Sequence, residues 1–271
     1  MTVSEREYYD PATTNYWLPI DEIEQDRLDE IHFALKDLYD GNVLTKTHCL
    51  LRKGMKILDV GCGPATWLLD MAMSFQKCEF TGVDLSKDMF PNIKPNNVEL
   101  VIADVLQGLP FEDGTFDFVH MRLLCRAFKK DEWETVFREL LRVTKPGGYI
   151  ESLESDIRGE TKLSKIFIDL SEQHDQNPRI AIHIGEILTK LGANIIQTDE
   201  RSVNLGNNDI LAAKFLSMIK HSIESLIPFI RPYLDLKEGD DPSSAIQELL
   251  DELKASEQKS VFIAYLAQKP E

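Results

Sequence analysis

Apolar positions along the chain follow two alternating patterns. Between residues 21 and 39, Leu28, Ile31, Leu35 and Leu38 recur at 3-4-3 spacing, and Asp21 with Glu24 resembles a capping box. An amphipathic helix is expected there, ended by Asp40-Gly41-Asn42. From Lys56 onward, short compact runs at 56–60, 80–84, 98–104, 116–121 and 149–153 read as five strands. Between them, Ala65, Leu68, Leu69 and Ala72 mark one helix face. Trp133, Val136, Phe137, Leu140 and Leu141 mark another, with Asp131 and Glu134 as its cap, and Lys145-Pro146-Gly147-Gly148 is a turn. Strands alternating with helices predict a parallel sheet covered on both faces, joined by right-handed crossovers.

Beyond residue 156 the order changes. A helix is expected over 161–173 and a second from Pro178, with Ile180, Ile184, Leu188 and Leu191 on its face and Gly192 at its end. A strand over 194–203 follows. Residues 208–256 read as helical, interrupted at Pro228, Pro232 and Pro242, and a last strand covers 261–267. Residues 1–16 are polar and aperiodic, a loose arm. No repeat, low-complexity tract or linker divides the chain. One domain is expected over 1–271: arm and helix to residue 50, a core over 51–157, and a substrate-side half over 158–271 with its helical insertion at about 208–256.

Composition narrows the function. With 43% hydrophobic residues in 271, the chain can bury a core. Thirty basic and 46 acidic residues give a net charge of −16, unevenly spread. Residues 1–40 hold eleven acids and three bases, residues 235–257 eight acids and two bases, and the body between is nearly neutral. Such a surface has no general affinity for nucleic acid. The acidic segments would favour a cationic acceptor only if some of these side chains face inward. The apolar run ending at Ala267 is too short to span a membrane, and the first residues lack the apolar segment of a signal peptide. Cys49, Cys62, Cys78 and Cys125 form no CxxC pair, and the six histidines show no metal-ligand spacing. Reduced thiols in a cytoplasmic or nuclear protein, without metal, are expected.

The chemistry concentrates at strand ends. Residues 57–67 run from a strand through a glycine turn into a helix. Gly61 and Gly63 permit a sharp turn and close approach of a ligand, and the helix start offers free N–H groups. Any α/β protein can contain such a turn. Asp84 closes the next strand 21 residues after Gly63, where a carboxylate can accept both ribose hydroxyls or cap a helix with Ser86. Asp104 closes the third strand, where it could accept from an adenine amino group. The fourth strand ends in His120 and Arg122 beside the first, at the switch point of an open sheet. Arg122 could hold a substrate carboxylate or pair with a neighbouring acid; the ion pair is preferred.

Together with the helix-turn-strand at 141–149, these elements resemble the class I S-adenosylmethionine-dependent methyltransferases, in order from about Lys56 to Asp156. The resemblance implies an α/β, Rossmann-like fold: a seven-stranded sheet of order 3-2-1-4-5-7-6 with its last strand antiparallel. It implies S-adenosylmethionine as cofactor. Gly61, Cys62 and Gly63 would meet its methionine part, Asp84 its ribose, Leu85 one face of adenine, and Asp104 with Val105 the adenine edge. His120 would lie near the sulfonium, and Asp59 would order the glycine loop. Ala65 stands where the family often has a third glycine. Outside the core, Tyr16-Trp17-Leu18-Pro19-Ile20-Asp21, Glu24, Arg27, Leu28 and His32 are similar to the opening of the fungal LaeA-like methyltransferases. So are Pro110-Phe111 to Phe116-Asp117, His120 with Arg122, and the run 147–151. That group includes regulators of secondary metabolism and enzymes of small-molecule pathways.

Methyl transfer to a small acceptor, apolar or cationic, is therefore expected. Regulation through a protein partner, as in LaeA-like proteins, is the alternative. The absence of an Asn-Pro-Pro-Tyr-like run after the fourth strand speaks against nucleic acid, and the lack of an acidic polyamine signature against aminopropyl transfer. His120 is the candidate general base by position and pKa range, with a structural histidine as the alternative. Glu151 is the second candidate, and Glu154 is expected to be solvated. The N-terminal helix and the insertion at 208–256 would form a lid over the acceptor.

Overall fold

The computed structural model describes residues 6–8, 14 and 16–271. Seven strands of the described residues form one sheet: β1 Lys56–Val60, β2 Glu79–Asp84, β3 Val98–Ile102, β4 Phe116–Arg122, β5 Thr144–Asp156, β6 Asn194–Asn204 and β7 Lys259–Gln268. Their order is β3-β2-β1-β4-β5-β7-β6, as the family resemblance implied. The pairs among β1 to β5 are parallel, and β7 runs antiparallel to both β5 and β6. Ile57, Leu58, Asp59 and Val60 are all buried, which a central parallel strand requires because helices cover both faces. The register sets Asp59 opposite His120 and His120 opposite Glu151, so three ionisable residues share one row across the sheet.

Among the described residues eight α-helices accompany the sheet: α1 Glu22–Leu38, α2 Thr45–Leu50, α3 Thr66–Ser74, α4 Trp133–Val143, α5 Lys162–Gln173, α6 Ile184–Lys190, α7 Ile210–Ile230 and α8 Ser243–Ala255. Residues of α1, α3, α5, α7 and α8 form one apolar cluster with Ile57, Phe80, Phe118 and Phe262. Helices α4 and α6 form the other, with Leu58, Val119, Ile150 and Ile263. Among the described residues, no helix is long and apolar enough to cross a membrane.

Several local expectations are corrected. Pro228 does not interrupt α7, which runs through it to Ile230. Proline removes one hydrogen bond there, and the buried Ile223, Leu226, Ile227 and Ile230 hold the helix across it. Pro178 starts no long helix: a short 3₁₀ turn over Ile180–Ile182 precedes α6. Asp131 does not cap α4, whose N-cap is Glu132. The capping box of α1 is half made. Asp21 accepts from the Glu24 N–H at 3.0 Å, while the Glu24 carboxylate turns to Arg27. Helix α2 had no periodic signal.

The loose arm expected over 1–16 lies largely outside the described residues, but residues 16–20 are fixed. Trp17 Nε1 donates to Gln176 Oε1 at 3.0 Å, its indole stacks on His174 at 4.8 Å, and Ile20 N–H bonds the Glu7 carbonyl at 2.8 Å.

Candidate active site

The C-terminal ends of β1, β2 and β4, the turns after β2 and β3, and α1 enclose a cavity of about 480 Å³. Its size falls in the range of small-molecule sites. Asp59, Gly61, Cys62, Gly63, Asp84, Leu85, Asp104 and Val105 all line it. The glycine turn explains itself physically. Gly61 and Gly63 have φ of +67° and +52°, and a Cβ on Gly61 would come within 2.7 Å of Leu124. Ala65, at φ +62°, adopts the same left-handed region at a cost of about 1–2 kcal/mol. The third-glycine position thus keeps its backbone shape without glycine.

The loop is held by Asp84 rather than Asp59. Asp84 Oδ2 accepts from the Gly63 N–H at 2.8 Å. Asp59 Oδ1 lies 2.7 Å from His120 Nδ1, which corrects the loop-ordering role expected of Asp59. Asp104 accepts from the Leu106 N–H at 2.9 Å, capping a short turn that begins at Val105. Leu85 is 39% exposed, an apolar side chain open to the cavity. Cys62 is buried, and desolvation pushes its thiol well above the ordinary range, so it serves as apolar lining.

The two base candidates lie elsewhere. His120 is 2% exposed and does not line the large cavity. Its ring stacks on Trp67 at 3.7 Å with 2° between planes. Burial pushes its pKa down, so it is neutral and donates Nδ1–H to Asp59. Glu151 accepts from the Thr47 hydroxyl and from the Leu44 N–H at 3.2 Å. It thereby caps α2, whose own N-cap residue Leu44 supplies no side-chain bond. Burial raises Glu151 to about 7. Both residues face a void of only about 20 Å³. Glu154, expected in solvent, is 0% exposed because β5 continues to Asp156.

A second chamber of about 150 Å³ adjoins the first. The two share Tyr16, Leu28, Ile31 and Leu123 as lining. Leu123 takes φ +58°, which turns the chain away after β4 between the cavities. The chamber is walled by α1, α5, α7 and β7, through Leu163, Phe167, Met218, Ile219 and Phe262 among others. Its charged lining is basic: Arg27, Arg126, Arg158 and Lys259 against Asp156 alone. Arg158 lies 2.9 Å from Asp156, and Arg179 also pairs with it. The acids of 235–257 are exposed, and the buried Glu24 is neutralised by Arg27 at 2.6 Å. Among the described residues, no acid of either segment lines the chamber. Sequence reasoning expected α1 and the region 208–256 beside the acceptor, with Tyr16 and Leu28 carrying a family resemblance and Leu28 and Ile31 a helix-face signal; it did not anticipate the walls from α5 and β7.

Residues 57–148 match the family described as a methyltransferase domain. The chain is 28% identical over 262 residues to the N-methyltransferase verN of Clonostachys rogersoniana, covering 92% of this chain and 89% of that protein. It is 32% identical over 147 residues to the secondary metabolism regulator laeA of Coprinopsis cinerea, covering 52% of this chain but only 36% of the regulator. Among solved structures, phosphoethanolamine N-methyltransferase 2 of Haemonchus contortus, in complex with S-adenosyl-L-methionine, superposes with a TM-score of 0.52 at 20% identity. That match covers 90% of this chain and 57% of the other.

Proposed function

The chain is a class I S-adenosylmethionine-dependent methyltransferase resembling the LaeA-like group, and from that premise we propose that it methylates a nitrogen of a small, largely apolar acceptor. The observation that carries this reading is the pair of adjoining cavities, the larger lined by the glycine turn and the Asp84 and Asp104 carboxylates, the smaller mostly apolar. The verN similarity, which spans nearly the whole chain, favours nitrogen as the acceptor atom. The basic chamber lining favours an acceptor nitrogen that arrives as its neutral free base over one that carries a fixed positive charge.

The residues present fit the cofactor. The glycine turn borders the large cavity with backbone alone, its φ values closed to most side chains, and two carboxylates, Asp84 at the end of β2 and Asp104 just after β3, line the same cavity. Bound S-adenosylmethionine supplies an electrophilic methyl group on a sulfonium. Asp84 would accept from the ribose hydroxyls, Leu85 would cover one adenine face, and Asp104 with Val105 would meet its edge. Gly61, Cys62 and Gly63 would line the methionine part. Tyr16, Leu28, Ile31 and Leu123 would bring acceptor and methyl into line and exclude water; such positioning supplies roughly 7–11 kcal/mol of a barrier. His120 and Glu151 act as structural groups in this scheme. An amine acceptor would enter as its neutral free base; its lone pair would take the methyl as the carbon–sulfur bond breaks, and the proton of the ammonium so formed would pass to solvent, so no protein base is required. The chain works as one unit over 1–271, with α1, the arm residues 16–20 and α7 closing the acceptor side.

The test supplies labelled S-adenosylmethionine with a panel of small apolar secondary amines, and separately with cell extract. Transfer to members of the panel is expected. Label entering only protein would replace this reading with a LaeA-like one.

A further inference from the structure

Two arginines, Arg122 at the end of β4 and Arg126 four residues on, divide between the cavities: Arg122 lines the large one and Arg126 the smaller. Arg126 rests over the Phe167 ring, 4.9 Å from its centroid. Arg122 is held by a polar relay instead. Its Nη2 lies 2.8 Å from His32 Nδ1, and His32 Nε2 lies 3.1 Å from Asp70 Oδ2, which also binds Lys36. A guanidinium can only donate, so Nδ1 must accept. The single ring proton then sits on Nε2 and goes to Asp70. Burial and the Arg122 charge push His32 down to about 4, which keeps it neutral.

The ion pair expected for Arg122 is therefore absent. Among the described residues no carboxylate lies within 4 Å of it, and the attraction of Asp59 and Asp70 acts over a longer range. Burial lowers its pKa to about 10, so it remains charged. A neutral imidazole engages one of five N–H donors and leaves the positive charge without a contacting anion beside the cavity. If adenosine lies toward Asp84 and Asp104, the amino-acid tail of the cofactor lies toward Gly61, Gly63, Trp67 and Arg122, which line the same cavity.

We propose that Arg122 seats the α-carboxylate of that tail, and that His32, on α1, is the positioning residue that aims the guanidinium. The proposal rests on the reading that the large cavity holds the cofactor. It makes the N-terminal helix part of the cofactor site through one neutral side chain. An arginine suits this task because its planar fork meets a carboxylate through two parallel bonds.

Calorimetry with two ligands separates the outcomes. S-adenosylhomocysteine carries the carboxylate, and 5′-methylthioadenosine lacks the whole tail. Arg122→Gln is expected to weaken S-adenosylhomocysteine about 10- to 100-fold and leave methylthioadenosine within about twofold. His32→Phe is expected to show the same selective loss to a smaller degree, with partial recovery in His32→Gln. Should Arg122→Gln misfold, Arg122→Lys keeps the charge, and an intermediate, tail-selective loss is expected. Equal weakening of both ligands, or of neither, would overturn the seat. Failure of the cofactor-cavity reading looks different: both ligands would then bind Asp84→Ala as they bind the native protein.

Discussion

The two adjoining cavities are built in opposite ways. The larger draws most of its walls from strand ends and the turns that leave them, so its shape is fixed by backbone: the left-handed Gly61, Gly63 and Ala65, and short caps at Asp84 and Asp104. The smaller draws its walls from side chains of α1, α5, α7 and β7, brought together only by packing. A backbone-built site suits a ligand that never changes. A site built of side chains can be re-cut by substitution without disturbing the first. The contrast makes cofactor binding and acceptor choice separable properties of this chain.

The largest effect is expected on the cofactor side. Asp84→Ala removes the proposed ribose acceptor and the bond that holds the Gly63 N–H. Two charge-assisted hydrogen bonds together predict at least about 100-fold weaker S-adenosylhomocysteine binding by calorimetry. The crossed experiment is Ile219→Trp. Ile219 is half-buried, lines the smaller chamber and does not line the larger. Filling about 150 Å³ with an indole is expected to reduce transfer to a responsive amine about tenfold or more, with cofactor affinity unchanged within about twofold. A matching loss of cofactor affinity in Ile219→Trp would break the separation.

The same contrast explains what the chain disclosed. Gly61, Gly63, Asp84 and Asp104 stand within short contiguous runs, so their chemistry can be read locally, and the family resemblance supplied the strand order. The smaller chamber joins positions from Tyr16 to Phe262: the apolar run of 208–256 pointed to the acceptor side, but nothing local marks Phe167 or Phe262 as walls. Leu28 and Ile31 show the limit of periodicity: their spacing identifies the buried face of α1 but not that this face borders a cavity. His120 and Glu151 sit at strand positions that suggest catalysis, yet their row faces inward under α2 and Trp67, where each satisfies another buried group. Arg122 finds its partner 90 residues away in a neutral histidine, an arrangement no charge count foretells.

A moderate effect belongs to the boundary between the cavities. Glu154 accepts from the N–H groups of Leu124 and Cys125 at 2.8 and 3.0 Å, holding the turn whose Leu123 borders both. Burial raises its pKa from 4.5 to about 8 despite these donors. The folded protein therefore holds a proton that the unfolded chain releases above about 4.5. Stability from this group is complete below that value and is lost as pH rises through 8. Glu154→Gln does not titrate. Its unfolding free energy is expected to fall less than that of the native protein between pH 5 and 8, by up to about 1.4 kcal/mol per pH unit, as read from denaturant titrations. Burial raises Glu151 too and contributes in both proteins, so the difference curve isolates Glu154. Parallel curves would assign the turn's anchorage to a permanently neutral or permanently charged carboxyl.

The smallest effect tests whether the acidic segment touches either cavity. Asp240 and Glu248 are exposed, on the surface of the region that carries much of the excess negative charge. Exposed charges are screened within about 8–10 Å at ordinary salt, and neither residue lines a cavity. Reversing both, as Asp240→Lys with Glu248→Lys, is expected to leave cofactor affinity and amine transfer within about twofold of the native values. A change in amine transfer alone, growing as salt is lowered, would mean that the acceptor passes this surface on its way in. The chamber's basic lining would then select after entry, and the acidic surface would act on the rate of arrival instead.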